Sequence, residues 1–369
     1  MEKVRIAIAG VGNCASSLLQ GIDYYRNIPR EQHEAWGLMH LDMGGYRPGD
    51  VEVVAAFDVD VRKVGRPLHE AAFAAPNCTT VISDHIAKSE VVVQMGPVHD
   101  GVAEHMADYP PERSFRVADE RPVDVAKQLR ESGAEILVSY MPVGSQKAAQ
   151  AYAEACLETG VSLVNCIPVF LVSDPMWGER FRQAGIPCAG DDIKSQFGAT
   201  ILHRAVVRLL ADRGVEVERT YQLNTGGNTD FLNMLSRHRL VSKKISKTEA
   251  VTSQIPYDIG ADNVHIGPSD YVPWQNDNKV CFLRVEGRGF GGAPIELEAR
   301  LSVQDSPNSA GIVIDVVRYV KLARERGAAG PLLPISAYTM KHPPVQMRDV
   351  DAARQIEAFL EKSTGDDTA

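Results

Sequence analysis

The first half of the chain alternates short apolar runs with helical patterns. Residues 4–10, VRIAIAG, are rich in β-branched side chains and end in glycine, which predicts a buried strand. Residues 13–25 then place apolar side chains at helical spacing. The same two patterns recur, with strands predicted at 51–60, 90–95, 134–140, 160–166 and 185–190 and helices at 123–133 and 145–160. Strands that alternate with helices indicate a doubly wound parallel sheet.

The pattern changes after residue 190. Residues 193–214 predict one long helix that ends at a glycine. Apolar and polar residues then alternate, which is typical of half-buried antiparallel strands, at 215–224, 279–290 and 293–305. A helix predicted at 309–327 should return to the first domain. We therefore expect an α/β protein with a Rossmann-like doubly wound parallel sheet domain at 1–194 and 306–369, and an α+β catalytic and oligomerisation domain at 195–305.

Composition narrows the class of protein. The 369 residues are 44% hydrophobic and carry a net charge of −9, which argues against a broad nucleic-acid surface. The sequence has no apolar stretch near 18 residues, so no membrane partner is expected. The six cysteines form no CxxC pair, which fits a reducing cytoplasm. Their spacing predicts no zinc site, and no metal ligand is assigned.

A nucleotide site is predicted at the first strand–helix junction. In GVGNCAS, Gly10, Gly12 and Ala15 match the G-x-G-x-x-G/A fingerprint. The glycines permit a tight turn and a close approach of backbone to a pyrophosphate, and the helix N-terminus faces the anion. An ordinary glycine turn is the alternative interpretation.

An acidic residue at the end of the second predicted strand fits the same site. The Asp58 carboxylate could accept hydrogen bonds from ribose hydroxyls and would repel a 2′-phosphate, which favours NAD over NADP. Asp58 lies 46 positions after Gly12 rather than about 20, so residues 26–50 would have to be an insertion. Asp60 is the competing choice, and a strand-end turn is the structural alternative.

Two polar segments lie in the second half. In GDDIKSQFGATILHR, residues 190–204, Asp191 or Asp192 could cap a helix, while serine, glutamine, glycine and threonine could present donors to a phosphate. The segment LNTGGNTDFLNM, residues 223–234, follows a predicted strand and could equally be a simple turn.

Four lysines stand apart from this acidic background. Lys243 and Lys247 share one helical face, where like charges repel by about 0.2–0.5 kcal/mol. They either lie on a solvated face or hold an anion between them, and Lys244 should point to solvent. Lys279 at a strand start and Lys341 in AYTMKHPP are either surface lysines or further members of the group.

Nine stretches together carry a family resemblance over nearly the whole chain: GVGNCASSL, AAFDVD, VSYMPVGS, GDDIKSQFGAT, GGNTDFLNM, SKKISKT, HIGPSD, DSPNSAG and SAYTMK. The sequence resembles the bacterial myo-inositol-1-phosphate synthase (inositol-3-phosphate synthase) family. The resemblance implies an isomerase that holds NAD tightly and converts D-glucose 6-phosphate to 1L-myo-inositol 1-phosphate. It also implies a cytoplasmic homotetramer that serves inositol and phospholipid biosynthesis.

The family's reaction oxidises C5 of the sugar, forms an enolate, joins C6 to the C1 aldehyde and reduces C5 again. Lysine ammonium groups suit its oxyanions in a closed site, and a neutral lysine could shuttle a proton. The implied catalytic residues are Lys243, Lys247, Lys279, Lys341, Asp192 and Asp230. Lys247 is expected near the phosphate, Lys243 and Lys279 near the aldehyde and enolate oxygens, and Lys341 near the C5 oxygen.

The resemblance also implies the ligand contacts. Cofactor-binding residues are expected at Gly10, Gly12, Asn13, Cys14, Ala15, Asp58, Ser139, Asp191 and Ser306. The substrate phosphate is expected at Ser195, Gln196, Gly198, Ala199, Thr200 and Lys247. Some family members resemble metal-assisted enzymes, with a cation near the phosphate and the nicotinamide, so a possible cation of unknown identity is a further expectation.

Three other functions remain open at this level. A paralogous cyclase could close a five-membered ring from fructose 6-phosphate in secondary metabolism, and Thr229, Tyr271 and Pro273 depart from the family pattern in a way that concerns the substrate. A simple NAD-dependent dehydrogenase would release NADH. A non-catalytic NAD-sensing or scaffold protein would not need four lysines at one site.

Overall fold

The computed structural model describes residues 2–29, 31–32, 36–83 and 86–361. Its strands are β1 Val4–Ala9, β2 Val51–Asp58, β3 Gln94–Met95, β4 Ile136–Ser139, β5 Ser162–Asn165, β6 Pro187–Gly190, β7 Glu216–Gly226, β8 Val264–Tyr271, β9 Asn278–Arg288, β10 Pro294–Gln304 and β11 Gly330–Pro331. Its α-helices are α1 Asn13–Arg26, α2 Leu68–Ala71, α3 Val125–Ser132, α4 Gln146–Thr159, α5 Pro175–Gln183, α6 Ala199–Asp212, α7 Thr229–Asn233, α8 Val241–Thr252, α9 Asp305–Glu325, α10 Leu333–Thr339 and α11 Asp349–Glu361.

The larger sheet confirms the predicted parallel architecture. Its strand order within the described residues is β11-β6-β5-β4-β1-β2-β3, and every neighbouring pair is parallel. Six of these strands follow the 3-2-1-4-5-6 order of the Rossmann fold. The order reverses between β1 and β4, and ligands of such sheets bind at the carboxyl ends of the strands at this point.

Apolar side chains fill both faces of this sheet. Ile6, Ile8 and Val138 pack against α1 and α9 on one face. Ala7 and Leu137 point the other way, into a cluster with α3, α4 and α5. The alternation along β1 therefore holds two helical layers against one sheet, which explains why the strand sequence is apolar throughout.

The smaller sheet has the order β10-β9-β7-β8. The β10–β9 and β9–β7 pairs are antiparallel, as the alternating pattern predicts, but β8 runs parallel to β7. Strand β8 carries the sequence VHIGPSDY, whose glycine, proline, serine and aspartate are poor strand formers, so its pattern did not indicate a strand. Helices α6 and α8 cover one face of this sheet through Val207 and Val251.

The long helix predicted at 193–214 begins later than expected, at Ala199. Asn308 on α9 holds the preceding residues, because its backbone oxygen accepts from Gln196 N at 2.7 Å and its side-chain oxygen accepts from Phe197 N at 3.0 Å. The segment is therefore bound to the N-terminal turn of α9 and does not form a helix.

Part of the predicted insertion before β2 packs against α9. Buried Arg318 donates to the backbone oxygens of Leu41 and Tyr46, each at 3.1 Å, and pairs with Asp315 at 2.5 Å. These contacts explain how a long loop between α1 and β2 can be part of the core. They also support the insertion that the late position of Asp58 requires.

The domain division at residues 194 and 306 stays a prediction. It is compatible with the strands, because the larger sheet uses residues 4–190 and 330–331 and the smaller sheet uses residues 216–304. Residues 362–369 of the proposed first domain lie outside the described residues.

Candidate active site

A cavity opens at the carboxyl ends of the parallel strands and extends to the smaller sheet. Counting its open mouth, it spans about 1480 Å³ of space between the protein atoms. Gly10 and Gly12 line one end, while Lys243, Lys247 and Lys279 line the other. The two dissimilar ends suit two ligands side by side, with the anionic one at the lysine end.

Glycine is present at the two fingerprint positions for different structural reasons. Gly10 has φ +98°, and a Cβ there would lie 2.9 Å from Tyr140 O, so the turn itself requires glycine. Gly12 has φ −88°, and a Cβ would meet no protein atom within 4 Å. Gly12 lines the cavity at the start of α1. Its missing side chain therefore leaves space that a ligand can occupy and that no protein atom needs.

The other residues of the first helical turn divide into two groups. Asn13 and Cys14 line the cavity, whereas Ala15 is fully buried in the core beneath it. Asn13 Oδ1 accepts from Cys78 N at 2.6 Å and Thr79 N at 3.1 Å, so this side chain holds the neighbouring loop. Burial raises the pKa of the Cys14 thiol to about 12, which keeps it neutral.

Asp58, not Asp60, faces the cavity. Its carboxylate accepts from Val11 N at 2.7 Å, Val59 N at 2.7 Å and Asp60 N at 2.8 Å, which fixes it at the end of β2. Asp60 is fully buried and is occupied by Arg62. Of the two candidates, only Asp58 therefore lies beside the cavity, and its role in cofactor binding stays a prediction.

Three further predicted cofactor residues lie in different surroundings. Ser306 lines the cavity and donates its hydroxyl to Asp277 Oδ1 at 2.8 Å. Ser139 is buried at the end of β4 and is not among the cavity-lining residues. The fully buried Asp191 carboxylate binds Asn165, the Ser173 hydroxyl and the backbone N–H groups of residues 171–173, so it fastens that loop and does not reach the cavity.

The structure brings the four predicted lysines together at one end of the cavity. Lys243 Nζ lies 2.7 Å from Asp230 Oδ2, and Lys341 Nζ lies 2.8 Å from Asp192 Oδ1. Ser246 donates to the other oxygen of Asp192. The predicted carboxylates thus act as lysine partners.

Lys279 has a carboxylate partner that the sequence did not single out. Its Nζ lies 3.2 Å from Asp305 Oδ1. The antiparallel register offered a signal, because Val303 pairs with Lys279 and residue 305 follows two positions later. Although burial alone would lower the pKa of Lys279, Asp305 together with Asp230 holds this pKa above its ordinary value.

Lys247 differs from the other three lysines. Among the described residues its one hydrogen-bond partner is Ser269 Oγ at 3.5 Å, and no carboxylate lies within ion-pair distance. Only 7% of the residue is exposed. Burial, followed by the positive charges of Lys243, Lys279 and Lys341, lowers the pKa of Lys247 to about 7.

The predicted phosphate residues are only partly assembled around this cavity. Ser195 and Lys247 line it, whereas Gln196, Gly198, Ala199 and Thr200 do not. The backbone N–H groups of Gln196 and Phe197 bind Asn308, so they are not free to bind a phosphate. The remaining assignments at the start of α6 stay predictions.

The described residues contain neither a cluster of metal-ligand side chains nor a membrane-spanning helix. No group of three or more His, Cys, Asp or Glu side chains in these ranges is arranged to hold a metal ion. Within the same part of the chain, no helix combines the length and apolar character needed to cross a bilayer.

Sequence comparison identifies the relatives of this chain. The family model for myo-inositol-1-phosphate synthase matches residues 198–306. Inositol-3-phosphate synthase of Mycobacterium tuberculosis is 52% identical over 358 residues, covering 97% of this chain and 96% of that relative.

Structural comparison agrees with these relatives. The crystal structure of Ari2 has 34% sequence identity and a TM-score of 0.77, covering 98% of this chain and 100% of that one. A myo-inositol-1-phosphate synthase-related protein from Thermotoga maritima has a TM-score of 0.81 at 24% identity, covering 97% and 98% of the two chains. At that identity the Thermotoga structure supports the fold alone.

A Rossmann-type parallel sheet beside a lysine-lined cavity defines the class, an α/β enzyme of Rossmann type. Among such enzymes, the chain belongs to the inositol-3-phosphate synthase family, whose members are isomerases.

Proposed function

We propose that the protein cyclises D-glucose 6-phosphate to 1L-myo-inositol 1-phosphate without net oxidation, with NAD as a bound cofactor. The observation that carries this proposal is the shared cavity, lined by the fingerprint glycines at one end and four lysines at the other. When bound, the nicotinamide dinucleotide supplies the acceptance and return of one hydride. The 52% identity to the inositol-3-phosphate synthase of M. tuberculosis supports the choice of reaction.

The residues of the Rossmann end fit such a cofactor. Gly12 leaves open space at the start of α1, where backbone N–H groups can bind a pyrophosphate. The Asp58 carboxylate lines the cavity at the end of β2 and is available to ribose hydroxyls. No metal-assisted step is part of this proposal, and the expected cation stays a prediction.

The paired lysines would stabilise the oxyanions of the sugar. Lys243 and Lys279 are held by Asp230 and Asp305, so their ammonium groups point to fixed places in a largely buried site. We assign them to the aldehyde and enolate oxygens. Lys341, fixed by Asp192, is assigned to the C5 oxygen, where it would give and receive the hydroxyl proton.

Lys247 would bind the phosphate. The other three lysines already have carboxylate partners, whereas Lys247 has none among the described side chains, so its charge is available to an external anion. With a pKa of about 7, Lys247 is largely neutral above that pH and should take up a proton when the phosphate dianion arrives. The negative charge of the phosphate would offset the repulsion that this added positive charge creates within the cluster.

Product analysis tests the proposal. Purified protein with a catalytic amount of NAD+ and glucose 6-phosphate should give an inositol phosphate by NMR, with no lasting increase in absorbance at the nicotinamide band. Fructose 6-phosphate offered in a parallel reaction should stay unchanged. A five-membered cyclitol from fructose 6-phosphate would replace the proposal with the paralogous cyclase, and stoichiometric NADH would replace it with a dehydrogenase.

Thr229 is the departure from the family pattern whose position bears on the choice between these two substrates. Of the three departures from the family pattern, only Thr229 lines the cavity. Tyr271 packs edge-on against Tyr109, and the Pro273 backbone oxygen accepts from Arg113. A difference in substrate choice would therefore be expected to arise at Thr229.

A Gly12→Val variant should separate cofactor binding from folding. The added Cβ meets no protein atom within 4 Å, and φ is negative, so the melting temperature of the ligand-free protein should stay unchanged. The same side chain would occupy the place of the pyrophosphate, so NAD+ affinity measured by calorimetry should fall at least about tenfold. Unchanged NAD+ affinity would place the cofactor elsewhere.

We also propose a cytoplasmic homotetramer that supplies inositol for phospholipid synthesis. Leu223 and Phe282 lie opposite each other on β7 and β9, and both are exposed, which supports burial of this sheet against another copy. Light scattering by the purified protein measures the number of chains directly.

A further inference from the structure

Arg239 joins the two ends of the cavity. It lies in a short 3-10 helix, Arg237–Leu240, which runs directly into the lysine-bearing helix α8. Its Nε donates to Val143 O at 3.0 Å and its Nη2 donates to Asp100 O at 2.8 Å. The guanidinium therefore connects the start of α8 to two loops of the larger sheet's domain.

Both loops border the Rossmann end of the cavity. Val143 follows β4 and lines the cavity, and so does Gly101 beside Asp100, in the loop that follows β3. Asp100 is itself fixed, because its carboxylate accepts from Lys147 N at 2.9 Å and Ala148 N at 3.1 Å at the start of α4. Arg239 thus contacts backbone that is already rigid on the cofactor side.

Gly144 allows this contact to be close. It has φ +87°, and a Cβ there would lie 2.7 Å from the Arg239 Cβ and 2.8 Å from its Nε. Asn233, at the end of α7, adds a bond from its Nδ2 to the same Val143 oxygen at 2.9 Å. The loop after β4 is therefore shaped to receive the arginine, with a second bond holding the same carbonyl.

On the other side, Arg239 lies along the chain between Asp230 and Lys243, the two members of one ion pair. Lys247 follows on α8, whereas Lys279 belongs to β9 and Lys341 follows α10. The position of α8 therefore sets the distances between lysines on different elements. Displacement of a catalytic group by about 1 Å can reduce turnover by about 100-fold.

We infer that Arg239 is a positioning residue, which holds helix α8 in register with the cofactor loops so that Lys243 and Lys247 meet Lys279 and Lys341. It acts through these lysines and does not itself line the cavity. The effect on turnover rests on the proposed function, whereas the effect on the lysines does not.

The first test compares Arg239→Ala with Arg237→Ala. Arg237 lies on the same 3-10 turn but is exposed, and its nearest carboxylate is Asp270 at 3.7 Å. Arg239→Ala should lower turnover at least about 30-fold. Its NAD+ affinity should stay within about threefold, because Asp100 still holds α4 and Asn233 still binds Val143. Added guanidinium should restore much of the loss, and Arg237→Ala should match the unchanged protein.

The second test needs no sugar. The reactivity of the Lys247 amine towards acetic anhydride, followed by mass spectrometry across pH, should have a midpoint near 7 in the unchanged protein. In Arg239→Ala this midpoint should rise by at least about half a pH unit, as α8 moves away from Lys279 and Lys341. If the unchanged protein formed no inositol phosphate, the proposed function would fail while this result still supported Arg239.

Two results would overturn the inference. One is an Arg239→Ala variant with the turnover and Lys247 midpoint of Arg237→Ala. The other is a parallel loss of turnover, NAD+ affinity and melting temperature that guanidinium does not restore, which would reduce Arg239 to a structural contact. Arg239→Lys, which can reach one carbonyl at a time, should fall between the unchanged protein and Arg239→Ala.

Discussion

Replacing Lys247 with methionine should weaken binding of the phosphosugar by about 10–100-fold and at the same time stabilise the ligand-free protein. The first effect follows from loss of a charge-assisted bond to the phosphate, which contributes about 1.5–3 kcal/mol. The second follows because the variant removes a buried ammonium group that has no carboxylate partner among the described residues. Calorimetry measures the affinity, and thermal unfolding measures the stability.

The pH dependence gives the sign of the stability effect. The pKa of Lys247 falls from 10.5 to about 7 on folding, so between these values the unfolded chain holds a proton that the folded protein has lost. Stability of the unchanged protein should therefore rise with pH across this window. The destabilisation caused by the buried charge of Lys247 is greatest below pH 7. The gain in Lys247→Met should be about 4–5 kcal/mol near pH 7 and fade towards pH 10.5.

Proton uptake provides a matched check on the same residue. At pH 8 the unchanged protein should take up close to one proton per phosphosugar bound, measured by calorimetry in buffers of different ionisation enthalpy. Lys247→Met should take up nearly none, and Lys244→Met, which alters an exposed neighbour, should behave like the unchanged protein. A Lys247→Met variant that binds sugar normally and is less stable would contradict the assignment.

The second large effect concerns Lys279. Lys279→Met should reduce kcat by about 100–1,000-fold, the usual cost of removing one donor to a developing oxyanion. The KM for the sugar should change by no more than about threefold, because the phosphate is held by Lys247. Steady-state kinetics gives both values, and a rise in KM with kcat preserved would move Lys279 to the phosphate.

The Asp305→Asn variant serves as the partner control for Lys279. Asp305 is the main group that raises the pKa of Lys279 against the effect of burial, so its removal should let this pKa fall. Activity of Asp305→Asn should therefore recover as the pH is lowered, because Lys279 is protonated again. Activity that stays equally low at every pH would show that the ion pair has another purpose.

The sequence predicted the fold well where its patterns were periodic. The apolar runs of β1 and β2 and the helical spacing of α1 gave the Rossmann topology, because parallel strands are buried on both faces. It failed where local composition opposed the tertiary structure. Strand β8 contains Gly267 and Asp270, and residues 193–198 look helical but are held by Asn308.

The candidate site was predictable in its chemistry but not in its pairing. The glycines matched a fingerprint, whereas the role of the lysines came from the family resemblance, because a lysine pair alone could also lie on a solvated helix face. Periodicity could not show that Asp191 fastens a loop while Asp192, the next residue, holds Lys341, since that difference arises from contacts with distant segments. For the same reason Asp305 and Arg239 became visible only when β9, β10 and the cofactor loops were placed together.

The hydride itself tests the central claim, that one cavity joins a dinucleotide to a lysine-bound phosphosugar. Glucose 6-phosphate carrying deuterium at C5 should be incubated with the protein and a catalytic amount of unlabelled NAD+, and the product examined by NMR. The account predicts an inositol phosphate that keeps the deuterium on the carbon derived from C5. Deuterium lost to the NAD pool or to water, or an open-chain keto product, would contradict it.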